Sequence, residues 1–301
     1  MKNSDVEMND GLSVTLDRVI TKFKSEINAQ WDFGLENMTL GGALTLRCEL
    51  EMIANHCNLK HINFSFVDKA NGESSEALLQ DVLRSSEFSF NISMIDNLDS
   101  IYPKLLMNFL NDFSYFSSSR LTVLHSYTGK KPCLRWNESV LNHPQLQDPF
   151  ASSEFAILHL KNSGTFETSR ANMSLWVKLI SEVSSNIQIP ILLIGDDDYP
   201  DGLLAIDNVF RLKSLNIPLM SQLAMTSKAK FFIGSASGVA ASAVYSDTPY
   251  LIFKNPRHHQ ETMNREIGSS NKFPWAGLNQ FILRQEPTIA SIQNFIKEID
   301  S

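Results

Sequence analysis

The chain has 301 residues, 43% of them hydrophobic and 20% charged, enough for two α/β domains or one large one with a buried core. A formal net charge of −7 excludes a general nucleic-acid-binding or anionic-membrane surface and leaves room for a local basic pocket around one phosphate ligand. Three cysteines (Cys48, Cys57, Cys133) at no metal-ligand spacing, a polar start unlike a secretory signal, and no apolar run near the roughly 20 residues of a bilayer span predict a reduced, cytoplasmic protein.

In chain order, Leu12 to Ile27 carries a helical stripe of apolar residues ending at Phe23 and Ile27. Met38–Leu44 leads into an apolar-periodic helix that runs to about Cys57. His61–Val67 alternates as a strand. A helix at Ser75–Leu83, a short strand around Phe90–Ile95, a second helix at Ile101–Phe113 and a strand at Leu121–His125 follow. This alternation predicts a small α/β layer with a parallel sheet. Asn, His, Gln and two prolines, Pro144 and Pro149, crowd the stretch from Trp136 to Ser153, which reads as a linker between domains at 1–150 and 151–301.

The second half is patterned more clearly. Strands are expected at Phe155–Leu160, Pro190–Ile194, Val209–Leu212, Phe231–Ile233 and Tyr250–Phe253. Helices are expected at Ser174–Val183, Leu219–Thr226 and Ile289–Ile299. The strands end in polar or glycine turns, as in a doubly wound sheet, which binds ligands beyond the carboxyl ends of its strands.

Four segments would converge at that edge. The first is the turn Gly234–Gly238, between a buried strand and a short Ala-rich helix. Helix-terminal N–H groups, the Ser235 and Ser237 hydroxyls, Ala236 and the close approach allowed by Gly238 suit a phosphate there. An ordinary β–α turn has the same composition, and both readings stay open. The second is the loop from Lys161 to Arg170, a point charge and a bidentate fork suited to a diphosphate. The third is Gly195-Asp196, where the carboxylate can accept from a sugar hydroxyl. The consecutive Asp196–Asp198 side chains diverge, so a solvated turn is expected and no metal. The fourth is Phe210–Lys213, where the backbone about Leu212 can frame a flat base. His258 and His259 follow the Tyr250–Phe253 strand and lack partners at metal-ligand spacing.

With these residues in view, 155–299 resembles the nucleotide-sugar-binding domain of GT-B-fold glycosyltransferases, especially the heptosyltransferase-like and fucosyltransferase-like enzymes. The resemblance runs through His159-Leu-Lys161, Arg170, Trp176, Ile189-Pro-Ile-Leu-Leu-Ile-Gly195, Leu223–Ala229 leading into Phe231–Gly238, and Asp247-Thr-Pro-Tyr250. It implies two Rossmann-like domains in a GT-B-like arrangement, the N-terminal one reduced. It also implies a diphosphate held by the small-residue turn and the basic loop. Leu40-Gly41-Gly42-Ala43-Leu44 then falls where such enzymes carry an acceptor-side glycine loop, although Asp32–Asn37 is a poor strand and a plain helix-entry turn fits as well. The activity expected is transfer of a sugar from a nucleotide-sugar donor to a glycan or other hydroxyl acceptor, in surface glycan synthesis, without metal or other cofactor. Asp68 and His125, at expected strand ends, are the candidate bases. A lipid acceptor would bring the protein to a membrane surface. A nucleotide-sugar epimerase or hydrolase, or a catalytically silent binding or scaffold protein, is compatible with the same residues.

Overall fold

A computed structural model describes residues 26–33, 38–67, 73–96, 105–106, 117–146, 154–163, 170–184, 187–258 and 260–300. The chain forms two compact units, one ending at Asn137 and the other beginning at Glu138. Both are built on all-parallel sheets.

The first unit contains β1 (Ile27–Asp32), α1 (Leu40–His56), β2 (His61–Val67), α2 (Glu73–Arg84), β3 (Ser89–Ile95), β4 (Leu105–Leu106) and α3 (Ser117–Thr128), with strand order β3-β2-β1-β4. Three expectations are corrected here. Ile27 opens a strand instead of closing a helix: Ile27, Ala29 and Trp31 are buried on the β1 register against β2. Residues 12–25 lie outside the described set. Leu105–Leu106, expected in a helix, pair with Ala29 and Gln30 of β1, and the rest of Ile101–Phe113 is outside the described residues except for this pair. Leu121–His125 belongs to helix α3. Its β-branched residues suggested a strand, but Leu121 and Leu124, three apart, bury one helical face.

A charged knot ties this unit together. Arg47, fully buried on α1, pairs through Nε with Glu51 Oε1 (2.6 Å) and donates to Ser85 Oγ (2.8 Å), to the Val82 carbonyl and to the Arg135 carbonyl. The guanidinium also lies 4.3 Å from the Trp136 ring centroid. Glu51 accepts in addition from Ser86 Oγ (2.5 Å) and the Arg135 N–H (3.0 Å). A charge pair out of water is tolerable only with its remaining donors and acceptors satisfied, as here.

The second unit contains β5 (Ala156–His159), α4 (Met173–Ser184), β6 (Ile191–Leu193), α5 (Asp201–Leu204), β7 (Val209–Arg211), α6 (Leu219–Met225), β8 (Phe231–Ser235), α7 (Ala241–Val244), β9 (Tyr250–Phe253), α8 (Gln260–Glu266), β10 (Gln280–Leu283) and α9 (Ile289–Asp300). Its strand order is β10-β9-β8-β5-β6-β7. Every residue of β5, β6, β8 and β9 is buried, which is why they read as continuous apolar runs. Trp176 of α4 meets Phe253 edge-on (centroids 5.6 Å), and Phe295 of α9 meets Phe231 likewise (6.0 Å). The chain proceeds outward from β5 through β6 to β7, then returns to the other side of β5 as β8. The strand order therefore reverses between β5 and β8, and a crevice opens beyond their carboxyl ends.

Candidate functional site

The crevice is set by contact between two backbones. His159 pairs with Gly234 across β5 and β8. A Cβ on Gly234 would stand 2.2 Å from the His159 carbonyl oxygen, so only glycine lets the strands approach this closely. One residue on, Ser235 Oγ accepts from the Lys161 N–H (2.7 Å), bonding the two strand ends together. The Lys161 carbonyl accepts from the Ala171 N–H (2.7 Å), so the loop that leaves after Lys161 is closed beside Arg170. Lys161 is thus held through both its backbone groups. Arg170, Ser235 and Ala236 line one small pocket, together with Lys254 and His258.

The turn after β8 differs from the expected strand-to-helix junction. Residues 236–240 make turns, and the following helix α7 has only four residues, so its dipole is small. Ser237 Oγ accepts from the Ala240 N–H (3.1 Å), as a cap does. The Ala236 N–H is taken by the Phe253 carbonyl (2.9 Å). Among the described residues, the N–H groups of Ser237, Gly238 and Val239 have no partner, and Ser237 and Gly238 are partly exposed.

Gly195 follows β6 with φ +95°, and a Cβ there would meet the His159 ring at 3.0 Å and Val239 Cγ2 at 3.4 Å. The glycine brings the β6 end against the turn after β8. Beneath it, His159 is fully buried, with Nδ1 2.9 Å from the Ile194 carbonyl and Nε2 4.0 Å from Asp197 Oδ2. Burial lowers its pKa despite the raising influence of the Ile194 carbonyl and Asp197, which favours the neutral ring with Nδ1–H donating to Ile194. Asp197 is not a solvated turn residue: its Oδ1 accepts from the N–H groups of Asn162 (2.9 Å) and Ser163 (2.8 Å), fixing the start of the Lys161 loop. His159 and Asp197 support the site from beneath. Nothing in their local sequence announces this, because the partners lie 35 or so positions away.

The other expected residues lie as follows. Asp196 is exposed beside Lys213, whose ammonium bonds its carbonyl (2.8 Å). Leu212 is fully buried at the start of a short 3-10 turn, and its carbonyl is taken by Ile217. Gly41 and Gly42 form the first turn of α1, capped by Thr39 Oγ1 on the Gly42 N–H (3.1 Å), so they are a helix entry and not a loop. His125 sits in the last turn of α3 with Nδ1 2.9 Å from the Lys130 carbonyl, away from any strand end. Asp68 lies outside the described residues. Asp32, buried at the carboxyl end of the inner strand β1, was not anticipated. Among the described residues no group of three His, Cys, Asp or Glu side chains could hold a metal ion, and no helix is long and apolar enough to cross a membrane.

Neither a protein-family model nor a curated protein sequence matches the chain. Solved structures do, and the fold they share with this chain is that of heptosyltransferase-like glycosyltransferases, as the sequence resemblance implied. The iron-containing dodecameric heptosyltransferase TibC, of enterotoxigenic E. coli and solved with ADP-D-β-D-heptose, is 13% identical with a TM-score of 0.51, covering 91% of this chain and 77% of its own. E. coli heptosyltransferase WaaC, solved with ADP, is 12% identical with a TM-score of 0.49 over 91% of this chain and all of its own (100%). The Arabidopsis thaliana fucosyltransferase FUT1, solved with GDP, is 10% identical with a TM-score of 0.37, over 80% of this chain and 75% of its own. At these identities the likeness is one of fold.

Proposed function

We propose that the protein is a GT-B-type glycosyltransferase that binds a nucleotide-sugar donor in the crevice between β5 and β8. The observation that carries this reading is the Lys161–Ser235 bond across the crevice, beside three backbone N–H groups that lack partners among the described residues. Such a group of donors and cations suits an anion. Lys161, Arg170, Ser237 and the Gly238 N–H bind the diphosphate. The acceptor hydroxyl attacks the anomeric carbon, its proton passes to a base, and the bond from that carbon to the diphosphate oxygen breaks. The negative charge gathering on the departing diphosphate is stabilised by the two cations and the N–H groups, without a metal ion. The acceptor is a glycan or related hydroxyl compound of surface glycan synthesis, handled by the N-terminal domain in the cytoplasm. The base is sought among Asp68 and Asp32.

A thermal-shift screen against UDP, GDP, CMP, ADP and their sugars, ADP-heptose included, tests the reading with and without Mg²⁺. A ligand at 100 times its dissociation constant should add about 2.7 kcal/mol. The expected result is a shift with one nucleoside diphosphate, independent of Mg²⁺ and lost in Lys161→Ala and Ser237→Ala. No shift with any of them overturns the donor assignment.

A further inference from the structure

Among the described residues, β3 and β4 edge the first sheet, and β10 and β7 the second. An edge strand offers unpaired backbone groups to any other strand, and proteins guard against this with brevity, charge, proline or a bulge. β4 has two residues, and β7 has three and ends on the cation Arg211. β10 has four, with the Lys272 ammonium 4.2 Å from the Phe281 ring centroid. β3 lacks every such guard. Its seven residues, Ser89-Phe-Asn-Ile-Ser-Met-Ile95, include no charge, proline or glycine, and its register with β2 is unbroken, so no bulge turns it away.

The Ser89 N–H donates to the Lys60 carbonyl (3.0 Å). Alternation along the ladder then turns the N–H and C=O groups of Phe90, Ile92 and Met94 outward, where they meet no partner among the described residues. The side chains of these residues carry the buried row Ile62, Phe64 and Phe66 of β2 out to the edge, where Phe90 and Ile92 are half-buried and Met94 is 64% exposed. On the opposite face, Asn91 bonds Asn63 (3.3 Å) and Ser93 bonds Ser65 (2.9 Å). The strand is therefore complementary to its own reverse. A half-turn about Ile92 sets Phe90 against the partner's Met94 on the apolar face and Asn91 against the partner's Ser93 on the polar one, with no like charges opposed. We propose that β3 pairs antiparallel with β3 of a second copy of this chain, joining two sheets into one through the outward groups of Phe90, Ile92 and Met94. The contact is two-fold and consumes both edges, so assembly stops at the dimer. An uncharged strand that matches itself selects a like copy over a charged peptide. Seven residues a side make a small interface, so the dimer exchanges with monomer as concentration changes. The pairing lies in the first unit and is independent of the sugar-nucleotide reading.

Sedimentation velocity of the full chain over a wide concentration range reads the assembly, comparing wild type, Met94→Lys, Met94→Pro and Leu278→Lys. The wild type should pass from monomer to dimer with no larger species. Each substitution at Met94 enters the two-fold contact twice, one against the partner's Phe90 and the other by removing an outward N–H, and should weaken association about tenfold. Leu278, 87% exposed in the second unit, is the control, and Leu278→Lys should leave association unchanged. The register has its own test, which holds even if Met94→Pro lowers the melting temperature. Asn91→Cys and Ser93→Cys chains, mixed and mildly oxidised, should cross-link to each other, because that non-hydrogen-bonded pair brings Cα atoms to about 4.5 Å. Either variant alone should cross-link no more than the wild type, whose own cysteines set the background. A wild type that stays monomeric at every concentration overturns the pairing. So does a dimer unmoved by both Met94 substitutions, or a mixture that cross-links no better than its components.

Discussion

Replacing Arg47 by methionine keeps most of the side-chain volume and removes the charge. Glu51 then stays buried with two donors, Ser86 Oγ and the Arg135 N–H, instead of three. The Val82 and Arg135 carbonyls lose little, since Ser85 Oγ and the Glu87 N–H also reach them. The cost is therefore mainly the stranded carboxylate. Removing one member of a buried ion pair costs about 3–5 kcal/mol, and the surviving donors place this case near about 3 kcal/mol. With a urea slope of about 2 kcal/mol/M, the transition of the first unit should move down by about 1.5 M. Urea unfolding followed by tryptophan fluorescence reads this, because Trp31 and Trp136 lie in that unit. Adding Glu51→Met should recover part of the loss, because no charge is then stranded. A loss below about 1 kcal/mol for Arg47→Met, or a double variant less stable than the two single losses summed, would refute the view that this pair is desolvated and mutually dependent.

Gly234→Ala places a Cβ where the His159 carbonyl already stands, 2.2 Å away, so β5 and β8 must part. A thermal melt should show a loss of at least about 1–3 kcal/mol, and nucleotide binding should disappear with it; wild-type melting would show that the strands are looser than described. His159 supplies a pH signature. Its folded pKa is depressed, so the unfolded chain takes up a proton first as pH falls below the ordinary value of about 6.5, and stability is lost from there down towards the folded pKa. Urea midpoints between pH 7.5 and 5 should fall more steeply for the wild type than for His159→Gln, and equal slopes would place the charge change elsewhere.

The second sheet was legible because its strands are buried on both faces: Phe231–Ile233 and Tyr250–Phe253 have no other stable reading. The positions of Lys161 and Ser235 at the carboxyl ends of β5 and β8 were legible for the same reason. The first sheet was harder. Ile27 extends a helical spacing from Phe23 while also starting the alternation Ile27, Ala29, Trp31, and only the pairing with β2 decides between them. Leu121–His125 has β-branched residues that tertiary packing overrides. Asp197 was missed because its local sequence is that of an ordinary polar turn. What distinguishes it is a pair of distant backbone donors, Asn162 and Ser163, which leave no local pattern.

The hydrogen bond from Ala171 to Lys161 has an evolutionary and practical consequence. Residues 162–170 depart from and return to a single peptide unit, so the loop's ends are stapled independently of what lies between them. Lengthening such a loop costs little, since closure entropy rises by only about 0.6 kcal/mol per doubling. Substitutions and insertions between Ser163 and Arg170 can therefore be made while Lys161 keeps its bond to Ser235 and Asn162 and Ser163 keep theirs to Asp197.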